Sequence, residues 1–189
     1  MKKGSIFIDV NKCLSCRSCE LACAVAHSSS GELEKALKSK EPLETRISVE
    51  PTEKTPKPCA ASKYPAAMKI SVPLQCRHCE DAPCVAICPT KALTKQTEPQ
   101  TENIVLLDSS KCIGCKWCIA VCPFGVIKMN KKGTAVVKCD LCIERLRVGE
   151  LPACVAACHT KALNFKTTYD FARDKRKKFL VEIQNVLEK

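Results

Sequence analysis

Aromatic side chains are scarce: Phe, Trp and Tyr make up 4% of 189 residues, with one Trp. Surfaces that stack single-stranded nucleic acid interleave aromatics with basic residues, and no such stripe occurs. Glycine is almost as rare, at six residues, and forms no glycine-rich phosphate loop, which argues against flavin or nicotinamide binding. No stretch approaches the ~18 apolar residues of a membrane span. The opening "MKKGSIFIDV" lacks the apolar run and cleavage site of a secretory signal. The histidines, His27, His78 and His159, are too scattered to suggest a metal site or catalytic pair, and no nucleophile–base pair is apparent.

Cysteine is what the chain has in excess, at seventeen residues. An odd count without a secretory signal points to a reducing cytoplasm, where clustered cysteines mean metal rather than disulfides. Sixteen fall into four sets of four. The first is "CLSCRSCELAC" (Cys13, Cys16, Cys19, Cys23) and the second "CRHCEDAPCVAIC" (Cys76, Cys79, Cys84, Cys88). The third is "CIGCKWCIAVC" (Cys112, Cys115, Cys118, Cys122). The fourth, Cys139, Cys142, Cys154 and Cys158, holds an eleven-residue insertion.

The first and third sets have the C-x2-C-x2-C-x3-C spacing of bacterial ferredoxins. Three thiolates two residues apart wrap one iron–sulfur cubane, and the fourth, a helical turn further on, points to a neighbouring cluster. Structural zinc uses paired C-x2-C units. "CDLC" alone fits that pattern; triple cysteines followed twice by proline do not. The formal charge of +11 then has an internal use, since each oxidised cluster with four thiolates carries about −2.

The rest of the chain predicts a ferredoxin-like α+β fold. "SIFIDVNKC" and "NIVLLDSSKC" read as strands feeding turns, and "GVIKMNKKGTAVVKC" as a short hairpin. "ALTKQTEPQTENIVLLD" reads as a second, longer hairpin. "APCVAICPTKAL" (82–93) returns as "PACVAACHTKAL" (152–163), a repeat of one supersecondary unit.

These motifs, in this order, resemble the four-cluster ferredoxin subunits of molybdopterin oxidoreductases, formate–hydrogen lyases and nickel CO dehydrogenases. "CDLCIERLRVGELPACVAACHTKAL" is similar to that family's fourth motif. "IDVNKCLSCRSCELACAVAHS" and "SVPLQCRHCEDAPCVAICPTKAL" look most like the nickel CO dehydrogenase subunits. The resemblance implies four 4Fe–4S clusters with shared ligands. Cys13, Cys16 and Cys19 would join Cys158, and Cys139, Cys142 and Cys154 would join Cys23. Cys76, Cys79 and Cys84 would join Cys122, and Cys112, Cys115 and Cys118 would join Cys88. It further implies an outer ferredoxin-like domain (1–27 plus 135–166) with an inner one (71–134) inserted in it, a loop-rich insertion (28–70) and a C-terminal helix (167–189).

The implied function is electron transfer without catalysis, in an anaerobic oxidoreductase complex in the cytoplasm. The donor would be a nickel CO dehydrogenase, and the acceptor a hydrogenase, a pyridine-nucleotide oxidoreductase or another ferredoxin. The alternatives are a formate, molybdopterin or hydrogenase complex and, more remotely, a zinc-stabilised interaction module. Neither nucleic acid nor membrane insertion is expected.

Four local expectations follow. Ala24 and His159 stand where the pattern has Pro, restoring backbone N–H donors that would raise the potentials of the outer pair. Trp117 is expected to shield its cluster. Cys59, in a Pro- and Lys-rich loop, has no companion at ligand spacing. The stripe Phe179, Leu180, Ile183, Val186 and Leu187 is expected to pack on its own domain, and "RDKRKK" to be a solvated face.

Overall fold

The computed structural model describes residues 4–52, 70–97 and 103–187. Cys59 and its Pro-rich loop lie outside them. Along the chain run β1 (Ser5–Ile8), α1 (Ser18–Ala26), α2 (Leu33–Lys38), β2 (Ile47–Pro51) and β3 (Ser71–Gln75). Next come α3 (Pro83–Ala86), β4 (Leu93–Lys95), β5 (Val105–Leu107), α4 (Trp117–Ala120) and β6 (Lys128–Met129). The last are β7 (Val136–Val137), α5 (Ile143–Arg147), α6 (Ala153–Ala156), β8 (Leu163–Lys166) and α7 (Thr168–Leu187). The expected mixture of short helices and small sheets is what forms.

The strands make four antiparallel pairs, β1 with β8, β2 with β3, β4 with β5 and β6 with β7. The first brings the two ends of the cysteine-bearing chain together, setting Ile8 opposite Leu163. The β4–β5 pair sets Leu93 opposite Leu107 in the same way. The repeated "KAL" serves both pairs: Ala92 and Ala162 are buried, and their carbonyls accept the N–H groups of Asp108 and Asp9, each at 2.8 Å. Those aspartates then cap the turns that enter the third and first cysteine loops, Asp108 accepting Ser110 N–H at 3.0 Å and Asp9 accepting Asn11 N–H at 3.2 Å.

Two apolar cores result. One gathers Ile6, Ile47, Val49, Leu141, Ile143, Leu146, Val155 and Leu163 around Cys19, Cys23 and Cys154. The other gathers Leu93, Val105, Ile127 and Val136 around Cys84 and Cys118. Both are small and include cysteines as full members. In the described part of the 28–70 insertion, β2 sends Ile47 and Val49 into the first core and pairs with β3, which leads into the second cysteine loop.

The C-terminal helix runs opposite to expectation. Thr167 and Asp170 form the capping box, with Asp170 N–H donating to Thr167 Oγ1 at 3.0 Å. Phe171 stacks on Phe7 with ring centroids 4.0 Å apart, and Lys166 pairs with Asp174 at 2.6 Å. Beyond that first stretch α7 buries nothing: Phe179, Leu180, Ile183, Val186 and Leu187 are all exposed. The stripe does not pack on its own domain, because the helix leaves the body after its anchored first turns. The run 173–178 is largely exposed, as expected. No helix among the described residues is long and apolar enough to cross a membrane.

Candidate metal centres

The four cysteine loops share one backbone solution. Each C-x-x-C puts the residue before its second cysteine in the left-handed region: Ser15, His78, Gly114 and Leu141 all have φ between 49° and 68°. That turn points backbone N–H groups inward, so His78 N–H donates to Cys76 Sγ at 3.4 Å and Leu141 N–H to Cys139 Sγ at 3.3 Å. A helix follows every loop, and the third cysteine (Cys19, Cys84, Cys118, Cys154) is always its second residue. Three of these helices stop short of the fourth cysteine. The first, α1, has Ala24 after Cys23 and continues to Ala26.

Proline is not what stops the others. The copy with His159 ends as the copy with Pro89 does, with Lys161 and Lys91 both at positive φ and both donating N–H to the fourth cysteine's carbonyl at 3.2 Å. His159 itself is exposed. The Cys158 sulfur instead accepts Leu163 N–H at 3.5 Å. Trp117, expected beside its cluster, is 56% exposed.

Thiols from different loops come together. Cys154 is pushed far above the ordinary thiol range by burial first, then by Cys139, Cys23, Cys142 and Cys19. Cys19 is pushed up to about 11 by burial, with Glu20 and Cys158 adding to it. Burial raises Cys84, and Cys76 and Cys122 reinforce the shift. Cys118 goes up to about 11 by burial, followed by Cys115, Cys112 and Cys84. Cys88, Cys112, Cys115 and Cys118 line one cavity. Cys16 and Cys115 are the exposed members; Cys13, Cys79 and the remaining intermediate members are half-buried.

A set of buried thiols that repel one another when ionised is poorly stable by itself, and a cationic iron–sulfur core removes the repulsion. An all-sulfur donor set with inward N–H groups fits 4Fe–4S clusters, which are held by four thiolates and tuned by hydrogen bonds to sulfur.

Residues 67–168 match the family model described as the 4Fe-4S dicluster domain. The chain belongs to the 4Fe-4S dicluster domain family. Among relatives of this dicluster chain, an iron-sulfur protein of Rhodospirillum rubrum is 40% identical over 171 residues, covering 84% of this chain and 79% of that protein. The thiosulfate reductase electron transfer subunit PhsB of Salmonella typhi is 32% identical, covering 83% and 72%. The iron-sulfur subunit of the nitrate-inducible formate dehydrogenase of Escherichia coli (strain K12) is 32% identical, covering 85% of this chain and 53% of that subunit.

Within this dicluster chain, three polar residues sit beside the thiols: Asp140 and Arg46, which the sequence reading did not single out, and His27, which it read as too scattered for a metal site. His27 Nδ1 lies 3.7 Å from Cys23 Sγ, and its Nε2 lies 3.0 Å from Asp140 Oδ1. Asp140 also pairs with Arg46 at 2.5 Å and accepts Cys142 N–H at 2.9 Å. Arg46 N–H donates to Cys23 Sγ at 3.3 Å. Burial alone would lower the His27 pKa, but bonds to Asp140, Cys142 and Cys23 raise it to about 12. Burial likewise opposes Asp140, yet His27 and Arg46 hold its carboxyl well below the usual range. Cys23, against its burial, is lowered by His27 and Arg46 N–H. His27, Asp140 and Cys142 lie within 4.8 Å of one another, so one histidine does join a ligand-like group. The available signals were Asp140 inside "CDLC" and His27 one helical turn past Cys23.

Proposed function

We propose that the protein is the electron-transfer subunit of an oxidoreductase complex, carrying four 4Fe–4S clusters on the ligand sets Cys13/16/19/158, Cys139/142/154/23, Cys76/79/84/122 and Cys112/115/118/88. The observation that carries this reading is the convergence of cysteines from different loops, Cys88 lining one cavity with Cys112, Cys115 and Cys118, and Cys19, Cys23 and Cys154 sharing one core. When bound, such clusters supply one-electron carriers. The polypeptide holds them, screens them from water and sets their potentials through N–H···S bonds and nearby charge. Sixteen cysteines used in four closed sets leave no iron coordination position for a substrate, so the chain conducts and catalyses nothing itself.

We place the two outer sets in one ferredoxin-like unit and the two inner sets in another inserted within it. The inner unit extends to residue 137 rather than 134, since β7 pairs with β6 and Val136 belongs to the second core. Thiols kept for metal require a reducing compartment, which favours the cytoplasm.

Two of the named relatives favour a partner other than nickel CO dehydrogenase: one is an electron transfer subunit of thiosulfate reductase and the other an iron-sulfur subunit of formate dehydrogenase, while the name of the Rhodospirillum rubrum relative specifies no complex. We therefore read the donor or acceptor as a catalytic subunit of that broad kind, which accords with the molybdopterin alternative. Purified without oxygen, the protein should be brown, hold about sixteen irons per chain, and bring down a catalytic subunit that mass spectrometry identifies. A colourless zinc-containing preparation would overturn the cluster reading, and a nickel CO dehydrogenase in the pull-down would restore the first choice of partner.

A further inference from the structure

Lys138 is a buried lysine with no part in ligation. It is 2% exposed, at the point where β7 hands the chain to the fourth cysteine loop. Its Nζ donates to two carbonyls that belong to different halves of the molecule, Val105 O on β5 at 2.5 Å and Cys139 O at 2.6 Å. The Val105 peptide is held from its other side as well, because its N–H donates to His78 Nδ1 at 3.0 Å, inside the second cysteine loop. Val105 packs in the core around Cys84 and Cys118, while Leu141, two residues after Cys139, packs in the other core. The lysine therefore stands where the two cores meet.

Two carbonyl acceptors explain how the ammonium is held, and leave open why a charge should be there. A neutral residue of the same length would fill the space without the cost of taking an ammonium out of water. Clusters held by Cys84 on one side and Cys139 on the other would supply compensating negative charge. Resting on the ligand sets proposed above, we infer that Lys138 is a tuning residue at the crossing between the two units. Its buried cation stabilises the reduced state of the two clusters that flank it, on Cys76/79/84/122 and on Cys139/142/154/23. It thereby raises the potentials of those two clusters relative to the two it does not flank.

The test is Lys138→Met in the full chain, purified anaerobically beside the parent. Iron is counted first, and a parent without about sixteen irons would defeat the four-cluster reading rather than this one. Midpoints are then followed by electron paramagnetic resonance during redox titration. The expected result is full iron content, two clusters moved together to lower potential and two unmoved, with Lys138→Arg close to the parent. Several results would overturn the inference. These are four unmoved midpoints, a uniform shift of all four, a shift confined to one cluster, or Lys138→Arg moving as far as Lys138→Met. Loss of iron from both Lys138→Met and Lys138→Gln would do so too, because the carbonyl clamp would then be the lysine's whole role.

Discussion

At the level of single residues the ligands were legible and their surroundings were not. Cysteine spacing is a local signal, readable within eleven or so residues. The His27–Asp140–Arg46 group joins positions 113 and 94 apart, and nothing local marks them as partners. The left-handed turn in each loop was equally hidden, since Ser15, His78 and Leu141 occupy it along with one glycine. At Gly114 a Cβ would also meet the backbone closely, standing 3.2 Å from Thr134 O at φ +68°. A β-branched side chain adds left-handed strain of about 1–2 kcal/mol to that contact. Gly114→Val should therefore lower the denaturation midpoint and weaken iron retention, read by chemical denaturation and iron assay. Full stability in that variant would show that the third loop relaxes freely. Such freedom would contradict the repeated geometry.

At the level of elements, the repeat of α3–β4 in α6–β8 was written in the sequence, and the structure shows what it does. Both copies end their helix, turn through a lysine at positive φ and deliver a buried Leu93 or Leu163 to a strand pair. His159 is exposed in a turn that already accepts proline in the other copy. His159→Pro should change stability by no more than about 0.5 kcal/mol and leave the midpoints in place, because the Cys158 sulfur meets Leu163 N–H and Thr160 Oγ1, neither of which the substitution removes. A thermal melt and a redox titration check both. The periodicity of α7 was legible too, but the surface it faces was not, because an apolar stripe records a helix and not its partner. Since α7 buries nothing past its anchored start, a chain stopped after Asp174 should keep its iron and melt like the parent. Phe171→Ala, which removes the stack on Phe7, should cost at least the ~0.5–1.5 kcal/mol of the aromatic pair itself and lower the melting temperature. The reverse ranking would mean that the distal helix is held to the body after all.

For the molecule as a whole, the question is what remains when the clusters are taken out. Among the described residues every sheet has two strands, a size that is marginal without a hydrophobic face packed on something else. Three helices that carry ligands span four residues each, far below the length at which a helix stands alone. Each of the two cores counts several cysteines among its buried or bordering members. Without iron those positions become crowded thiols, of which Cys139 and Cys154 are held neutral by burial. Folding and cluster binding should therefore be one event, as in other small metal-dependent domains. Oxidative removal of iron in the presence of a chelator should abolish near-ultraviolet circular dichroism and the cooperative melt, and most backbone amides should exchange quickly. Only α7 has the length to keep residual helicity, giving a weak far-ultraviolet signal that fades gradually on heating. An iron-free protein that still melts cooperatively near the parent temperature would mean that the apolar residues suffice, and the clusters would then be guests in a finished fold rather than the centres around which it forms.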